Sequence, residues 1–430
     1  MSLKARPTLA APARPAMPLD LTGVREWVVE RGLQGTTIEE QLRGFCDRIV
    51  GAGFPMQRFN MSIGTLHPQH GARNYIWRGQ RVHVEEFPRQ LTGEQNEMYL
   101  RSPIHHLRAS SDIELRRDLT EPAAFDFPVL HDLRRSGLTE YVARLVRSGT
   151  EVGDPRNASA VMRDEGTDPL AQSTFFSLAT REPKGFDDAQ LAQVAELLPY
   201  LALAVRARSS IDIARTVLQT YLGADAGSRV LTGEIDRRSV QHLHAVIWLC
   251  DLRGFSTVGS RVPSEELVEI LNAHLEMMAR PVLDHGGQIL KFMGDGFLAT
   301  FDLSREDAQV VSLGAINAAQ RVLESFPEFR AARRAKGLQA LDFGIALHLG
   351  DVLYGNVGTL ERLDFTVVGS AVNEASRIEG LCRPLRRKVL VSSRLHDTAG
   401  LCHERMISVG VHALRSIHEP QELFTIVEPA

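Results

Sequence analysis

Residues 289–301 read ILKFMGDGFLATF, two apolar runs on either side of Gly294-Asp295-Gly296. Apolar segments of strand length separated by Asp-Gly predict a β-hairpin with a tight turn. The hairpin puts a carboxylate on its point. It also puts a cation, Lys291, inside a run that otherwise favours burial. Asp-Gly accounts for Asp295 as a turn residue with no further role, so its chemistry depends on what else converges there.

The flanking pattern sets the architecture. Residues 245–250, AVIWLC, form a short, wholly apolar strand. A helix follows over about 264–285, with Leu267, Ile270, Leu271, Leu275 and Met278 on one face and Gly286-Gly287 after it. Ser304-Arg305-Glu306-Asp307 reads as the cap of another helix. LDFGIALHLGDVLYGNVG predicts strands, 371–383 a short helix, and KVLVS, ISVGVHAL and QELFTIV further strands. Helices alternating with a mostly antiparallel set of strands predict an α+β fold, a ferredoxin-like α/β sandwich over about 241–428.

Residues 21–206 predict a separate α+β domain, after an Ala/Pro-rich tail over 1–20 that reads as flexible. Thr37 through Glu40 offers a capping-box start, and Ile38, Leu42, Phe45 and Ile49 share one helix face. Phe59, Met61 and Ile63 alternate as in a half-buried strand. Residues 173–186 predict a strand and turn, with a helix from Asp187. Pro199 predicts a kink or early break in that helix. A second series, Ile211, Ala214, Leu218 and Tyr221, reads as an ordinary linker helix or a short parallel coiled coil, and 207–240 as a helical linker. Residues 67–170 show no assignable pattern.

With 430 residues, 43% hydrophobic and 24% charged, the chain has the composition of a globular protein of two or three domains. A net charge of −4 does not point to nucleic acid or a membrane surface as a main partner. No apolar run approaches the ~20 residues of a membrane span. The N-terminus lacks an apolar signal region. Cys46, Cys250, Cys382 and Cys402 show no metal spacing, which fits thiols in a reducing cytoplasm. His67, His70, His105 and His106 have no acid or Cys to complete a metal site and read as surface histidines.

A second acid raises the significance of Asp295. Asp251 stands at the mouth of the AVIWLC strand, where packing needs no carboxylate. Two carboxylates with few other ligands suit Mg²⁺, which keeps waters and takes its remaining oxygens from phosphates. Gly254-Phe255 leads into a helix whose N–H groups suit phosphate oxygens. Asn373 and Arg377, at i and i+4, share one face of the 371–383 helix.

DLRGFS (251–256), KFMGDG (291–296) and VGSAVNEASR (368–377) together resemble the catalytic domain of class III nucleotidyl cyclases, in order and in spacing. The resemblance covers about 241–428. It implies a head-to-tail homodimer with active sites at the interface, so that Lys291 and Asp295 serve opposite sites from one hairpin. It implies a metal set of Asp251, Asp295 and Leu252 holding two Mg²⁺, or Mn²⁺, and Asn373 and Arg377 as the catalytic pair. Lys291 and Thr366 fall at the base, and Gly254, Phe255, Arg415 and Arg362 near the phosphates. Arg415 stands where the family has a lysine. Lysine is a pure donor, which suits adenine N1, whereas guanylate-forming relatives usually carry glutamate there. Threonine at 366 resembles the subclass in which several members respond to bicarbonate. The end of the first domain resembles a GAF-like domain, which implies a small ligand or dimerisation. The expectation is a cytoplasmic adenylate cyclase acting on ATP. The alternatives are a guanylate cyclase and a catalytically silent nucleotide-binding module. The signature of a GGDEF-type cyclase is absent.

Overall fold

The computed structural model describes residues 18–120, 126–147, 173–236, 239–304, 306–400, 405–415, 417 and 419–427. It divides into two compact units, Met1–Val217 and Leu218–Ala430. Residues 1–17 of the tail and Cys402 lie outside the described residues. Leu19 corrects the reading of the tail's end. It is buried, and its N–H donates to Gln193 Oε1 at 3.0 Å.

The first unit opens with α1 (Val24–Leu33) and α2 (Ile38–Gly51). Thr37 and Glu40 form the expected capping box on α2, and Ile38, Leu42, Phe45 and Ile49 are all buried. Next come β1 (Arg58–Gly64), β2 (His70–Arg78), β3 (Arg81–Pro88), α3 (Gly93–Leu100), α4 (Pro103–Ala109) and β4 (Glu114–Asp118). The chain continues with α5 (Pro128–Arg135), β5 (Glu140–Val146), β6 (Thr174–Thr180) and α6 (Asp188–Leu222), whose last five residues are counted in the second unit. The strands form one antiparallel sheet ordered β3-β2-β1-β6-β5-β4. β1 is therefore central and not half-buried. Asn60 and Ser62 are buried along with Phe59, Met61 and Ile63.

The break expected at Pro199 does not occur, and α6 runs unbroken from Asp188 to Leu222. Proline in a helix interior costs about 3 kcal/mol. Leu191, Val194, Leu198, Leu201 and Val205 are buried on its two flanks, each stabilising by about 1.5–3 kcal/mol, so continuing the helix wins. The series around Ile211 belongs to this same helix.

The second unit contains α7 (Ala224–Leu231), β7 (Val240–Arg253), α8 (Phe255–Gly259), α9 (Ser264–Asp284), β8 (Gln288–Met293), β9 (Gly296–Asp302) and α10 (Ala308–Ala335). It continues with β10 (Asp342–Gly358), β11 (Leu363–Val368), α11 (Ser370–Leu381), β12 (Val389–Ser392), α12 (Ser393–Ala399), β13 (Met406–His412) and β14 (Gln421–Ile426). The sheet runs β13-β14-β12-β10-β7-β9-β8, with β11 on β10. Its pairings are antiparallel except β10 with β12. β10 is a single strand where the pattern predicts several. α10 is capped by Asp307, which accepts from Gln309 and Val310 N–H, and not by Ser304, which is tied to Asp302.

AVIWLC is apolar throughout because both faces of β7 are covered. Val246, Trp248 and Cys250 pack in a cluster with Ile270, Met278, Phe297, Ile316 and Phe343. Ala245 and Ile247 pack in another with Ala226, Val352, Ala371 and Ala375. Cys46, Cys250 and Cys382 are free and buried, and burial pushes the last two thiols up to about 12. Among the described residues, no helix is long and apolar enough to cross a membrane.

Candidate active site

β7 pairs with β9 so that Cys250 faces Phe297. One more step of that register sets Gly296 against Asp251, with Asp295 just beyond in the turn. Met293 pairs with Gly296, so the turn centres on Gly294-Asp295 and not on the Asp-Gly dipeptide. Gly294 takes φ 62°, the left-handed first position that a type II′ turn requires. A Cβ on Gly296 would collide with the Cys250 carbonyl oxygen and stand 3.0 Å from Asp251 Cα. The missing side chain lets the turn close onto the end of β7, which brings the two acids together.

Electrostatics record the meeting. Burial pushes the Asp251 carboxyl up to about 7, and the charge of Asp295 and a hydrogen bond shared with it push the same way. The Leu252 N–H opposes this shift by bonding the carboxylate. Glu379 on α11 contributes a third negative charge that the sequence reading missed. Burial raises its own pKa, Arg253 lowers it and Asp295 raises it. A Cβ on Gly344, the residue paired with Asp251, would collide with a Glu379 carboxylate oxygen. An isolated glycine inside a strand marks such an approach, and that was the available signal.

Two crowded carboxylates offer only oxygen donors, the chemistry of a hard divalent cation. Among the described residues, no group of three or more His, Cys, Asp or Glu is arranged to hold a metal. The pair is thus a sparse set that leaves most positions to water or phosphate. The Leu252 side chain is buried in the core, so this residue borders the site through its main chain.

A pH dependence follows. The Asp251 carboxyl titrates near 7 when folded and near 3.8 by default. Between those values the folded state holds the extra proton, so stability falls as pH rises through the window. A cation must displace that proton. Scanning fluorimetry in EDTA should show a melting temperature that declines from pH 5 to pH 7.5, and Asp251→Asn should flatten the decline. Mn²⁺ should stabilise more at pH 8 than at pH 6. Equal stabilisation at both would contradict the assignment.

The remaining candidates are distributed over the same unit. Gly254, at φ 85°, precedes the five-residue α8, and Phe255 packs partly into the core. Lys291 extends from β8 and forms an ion pair with Asp364 on β11. Thr366 lies two residues further along β11, paired with Gly355. Asn373 and Arg377 lie exposed one turn apart on α11. Arg362 lies in the β10–β11 connection and Arg415 between β13 and β14, both exposed. Among the described residues, no hydrogen bond or ion pair joins Lys291, Asn373, Arg377, Arg362 or Arg415 to the Asp251–Asp295 pair.

Residues 239–419 match the family model described as the adenylate and guanylate cyclase catalytic domain. The second unit carries a class III adenylate/guanylate cyclase catalytic domain. The cyclase domain is 36% identical over 179 residues to an adenylate cyclase of Anabaena cylindrica, covering 41% of this chain and 35% of that protein. It is 30% identical over 161 residues to adenylate cyclase 1 of Rhizobium meliloti, covering 37% and 24%. The chain thus spans about a third or less of these two relatives. Among solved structures, it is similar to the guanylyl cyclase Cya2, with 28% identity, TM-score 0.39, and 44% of this chain and 94% of that one covered. The adenylyl cyclase CyaB from P. aeruginosa gives 24% identity, TM-score 0.40, and coverage of 45% and 97%.

Proposed function

We propose that the second unit is an adenylate cyclase acting in the cytoplasm, converting ATP to 3′,5′-cyclic AMP and pyrophosphate. The observation that carries this reading is the convergence of Asp251 and Asp295 at the mouth of β7. Two Mg²⁺ or Mn²⁺ ions bound there would activate the ribose 3′-hydroxyl and offset charge at the α-phosphate.

The chain's own groups do the rest. Asn373 orients the ribose. Arg377, one helical turn away, offsets charge on the phosphoryl group, where a guanidinium is most effective. Lys291 donates to adenine N1. The Gly254-Phe255 N–H groups, Arg415 and Arg362 hold the triphosphate. A homodimer completes the site, since Lys291 and Asp295 serve opposite centres. The first unit, with its antiparallel sheet and terminal helix, is a GAF-like regulator taking a small ligand. It acts through residues 207–240 by changing how two catalytic halves meet.

Turnover of ATP and GTP, each with Mg²⁺ and with Mn²⁺, tests the reading. Cyclic AMP should dominate. Cyclic GMP as the main product would replace the substrate, and no cyclic product would leave two readings, an enzyme held off by its first unit or the silent module, which turnover by residues 225–430 alone would separate. With threonine at 366, bicarbonate at fixed pH should raise the rate, and an unchanged rate would remove that subclass assignment.

A further inference from the structure

We infer that Glu374 is a positioning residue for the cyclase reaction: through Gln421 and His348 it fixes the rotation of α11, and with it the placement of Asn373 and Arg377. The inference rests on the nucleotide-cyclase reading above.

The buried stripe of α11 is Ala371, Ala375 and Ile378, at the i, i+4, i+7 spacing of a face packed on the sheet. Glu374 falls inside that stripe, and its side chain is only 13% exposed. A carboxylate there is desolvated, and an apolar side chain of similar size would serve packing as well or better. Its partners show what it does instead. Gln421 Nε2, on β14, donates to Glu374 Oε2 at 2.8 Å. His348 Nε2, on β10, stands 3.4 Å from the same oxygen. That ring is fully buried and makes no hydrogen bond among the described residues. Burial pushes its imidazole down to about 4 from the usual 6.5. The ring is therefore neutral at neutral pH and can direct an Nε2 proton toward Glu374.

A Cβ on Gly350 would stand 2.6 Å from Ala371 Cβ, so α11 lies close on β10. Two of its three buried residues are alanines, which bring the helix close but offer little side chain to resist a turn. Glu374 reaches sideways. β12 separates β14 from β10, so the bond to Gln421 is a lateral tether. At about 100° per residue, Asn373 and Arg377 lie on the same flank of Glu374, about 100° and 60° around the axis. Side chains reach roughly 5–6 Å from a helix axis, so a turn of about 10° moves their ends by about 1 Å. A misplacement of about 1 Å can cost a reaction about a hundredfold.

The test uses the full chain with ATP and Mn²⁺. kcat and KM are measured for the unaltered protein, Glu374→Gln, Glu374→Ala and Gln421→Ala, and amide hydrogen exchange is followed across α11. Glu374→Ala should lower kcat by about tenfold to a hundredfold, with KM within about twofold, and the α11 amides should exchange faster. Glu374→Gln, whose amide can accept from Gln421 and donate to His348, should recover most of kcat. Gln421→Ala leaves α11 unaltered and should give the same pattern more weakly, which decides the matter if Glu374→Ala does not fold. On an Arg377→Ala background, Glu374→Ala should cost less than it does alone, because residues that act as a unit are not additive. A role in stability alone would cost the same on both backgrounds. Unchanged kcat in Glu374→Ala, or a loss that Glu374→Gln does not recover, overturns the inference. If the unaltered protein forms no cyclic product, the cyclase reading is what fails. Unchanged exchange of α11 in Glu374→Ala and Gln421→Ala overturns the inference on its own.

Discussion

Asp295→Ala is expected to abolish cyclic nucleotide formation, lowering kcat by about 10³-fold or more, with the fold intact. The carboxylate sits on a turn tip and is only half-buried, so its removal leaves no cavity. Its backbone φ is not in the left-handed region, so alanine fits without strain. The change should slightly stabilise the cation-free protein, because Asp295 is one of the charges holding the Asp251 carboxyl near 7. Three measurements separate a lost metal ligand from a lost fold. Product formation by chromatography should vanish, the melting temperature in EDTA should hold or rise, and Mn²⁺ should no longer stabilise the protein. Retained turnover would remove Asp295 from the chemistry. A collapsed melting temperature would make it a structural turn residue.

What could be read from sequence was local. The α2 capping box, the AVIWLC strand and the hairpin depend on neighbours within a few residues, and all three are present. At Pro199 local propensity counts only the cost, while the burial of Leu198, Leu201 and Val205 that outweighs it is tertiary. In β10, Gly344, Gly350 and Gly355 act locally as breaks. β7 pairs it from Asp342 to Gly355, which overrides them. The site shows the same limit. Asp251 and Asp295 were legible as ends of elements, and the register then joins them. Glu379 and Glu374 were not, because each matters through a partner distant in sequence, Asp251 for one and Gln421 for the other.

Gly296→Ala is expected to cost about 3 kcal/mol or more, although it alters no group that touches substrate. Its Cβ would stand 2.8 Å from the Cys250 carbonyl carbon and 3.0 Å from Asp251 Cα. These are backbone atoms of the central strand and cannot rotate away. Relief requires β9 to move off β7. That movement would strain the Cys250–Phe297 pairing and the packing of Trp248 against Phe297 and Phe301. For a unit of this size, about 3 kcal/mol corresponds to roughly 6–12 °C in melting temperature. Gly294→Ala is the control from the same turn. It meets no atom within 4 Å but holds a left-handed φ, a strain of about 1–2 kcal/mol. The folded remainder of Gly296→Ala should also bind Mn²⁺ weakly, because separating the strands separates Asp251 from Asp295. If Gly296→Ala melts no lower than Gly294→Ala, the close approach of turn and strand is not what builds the site.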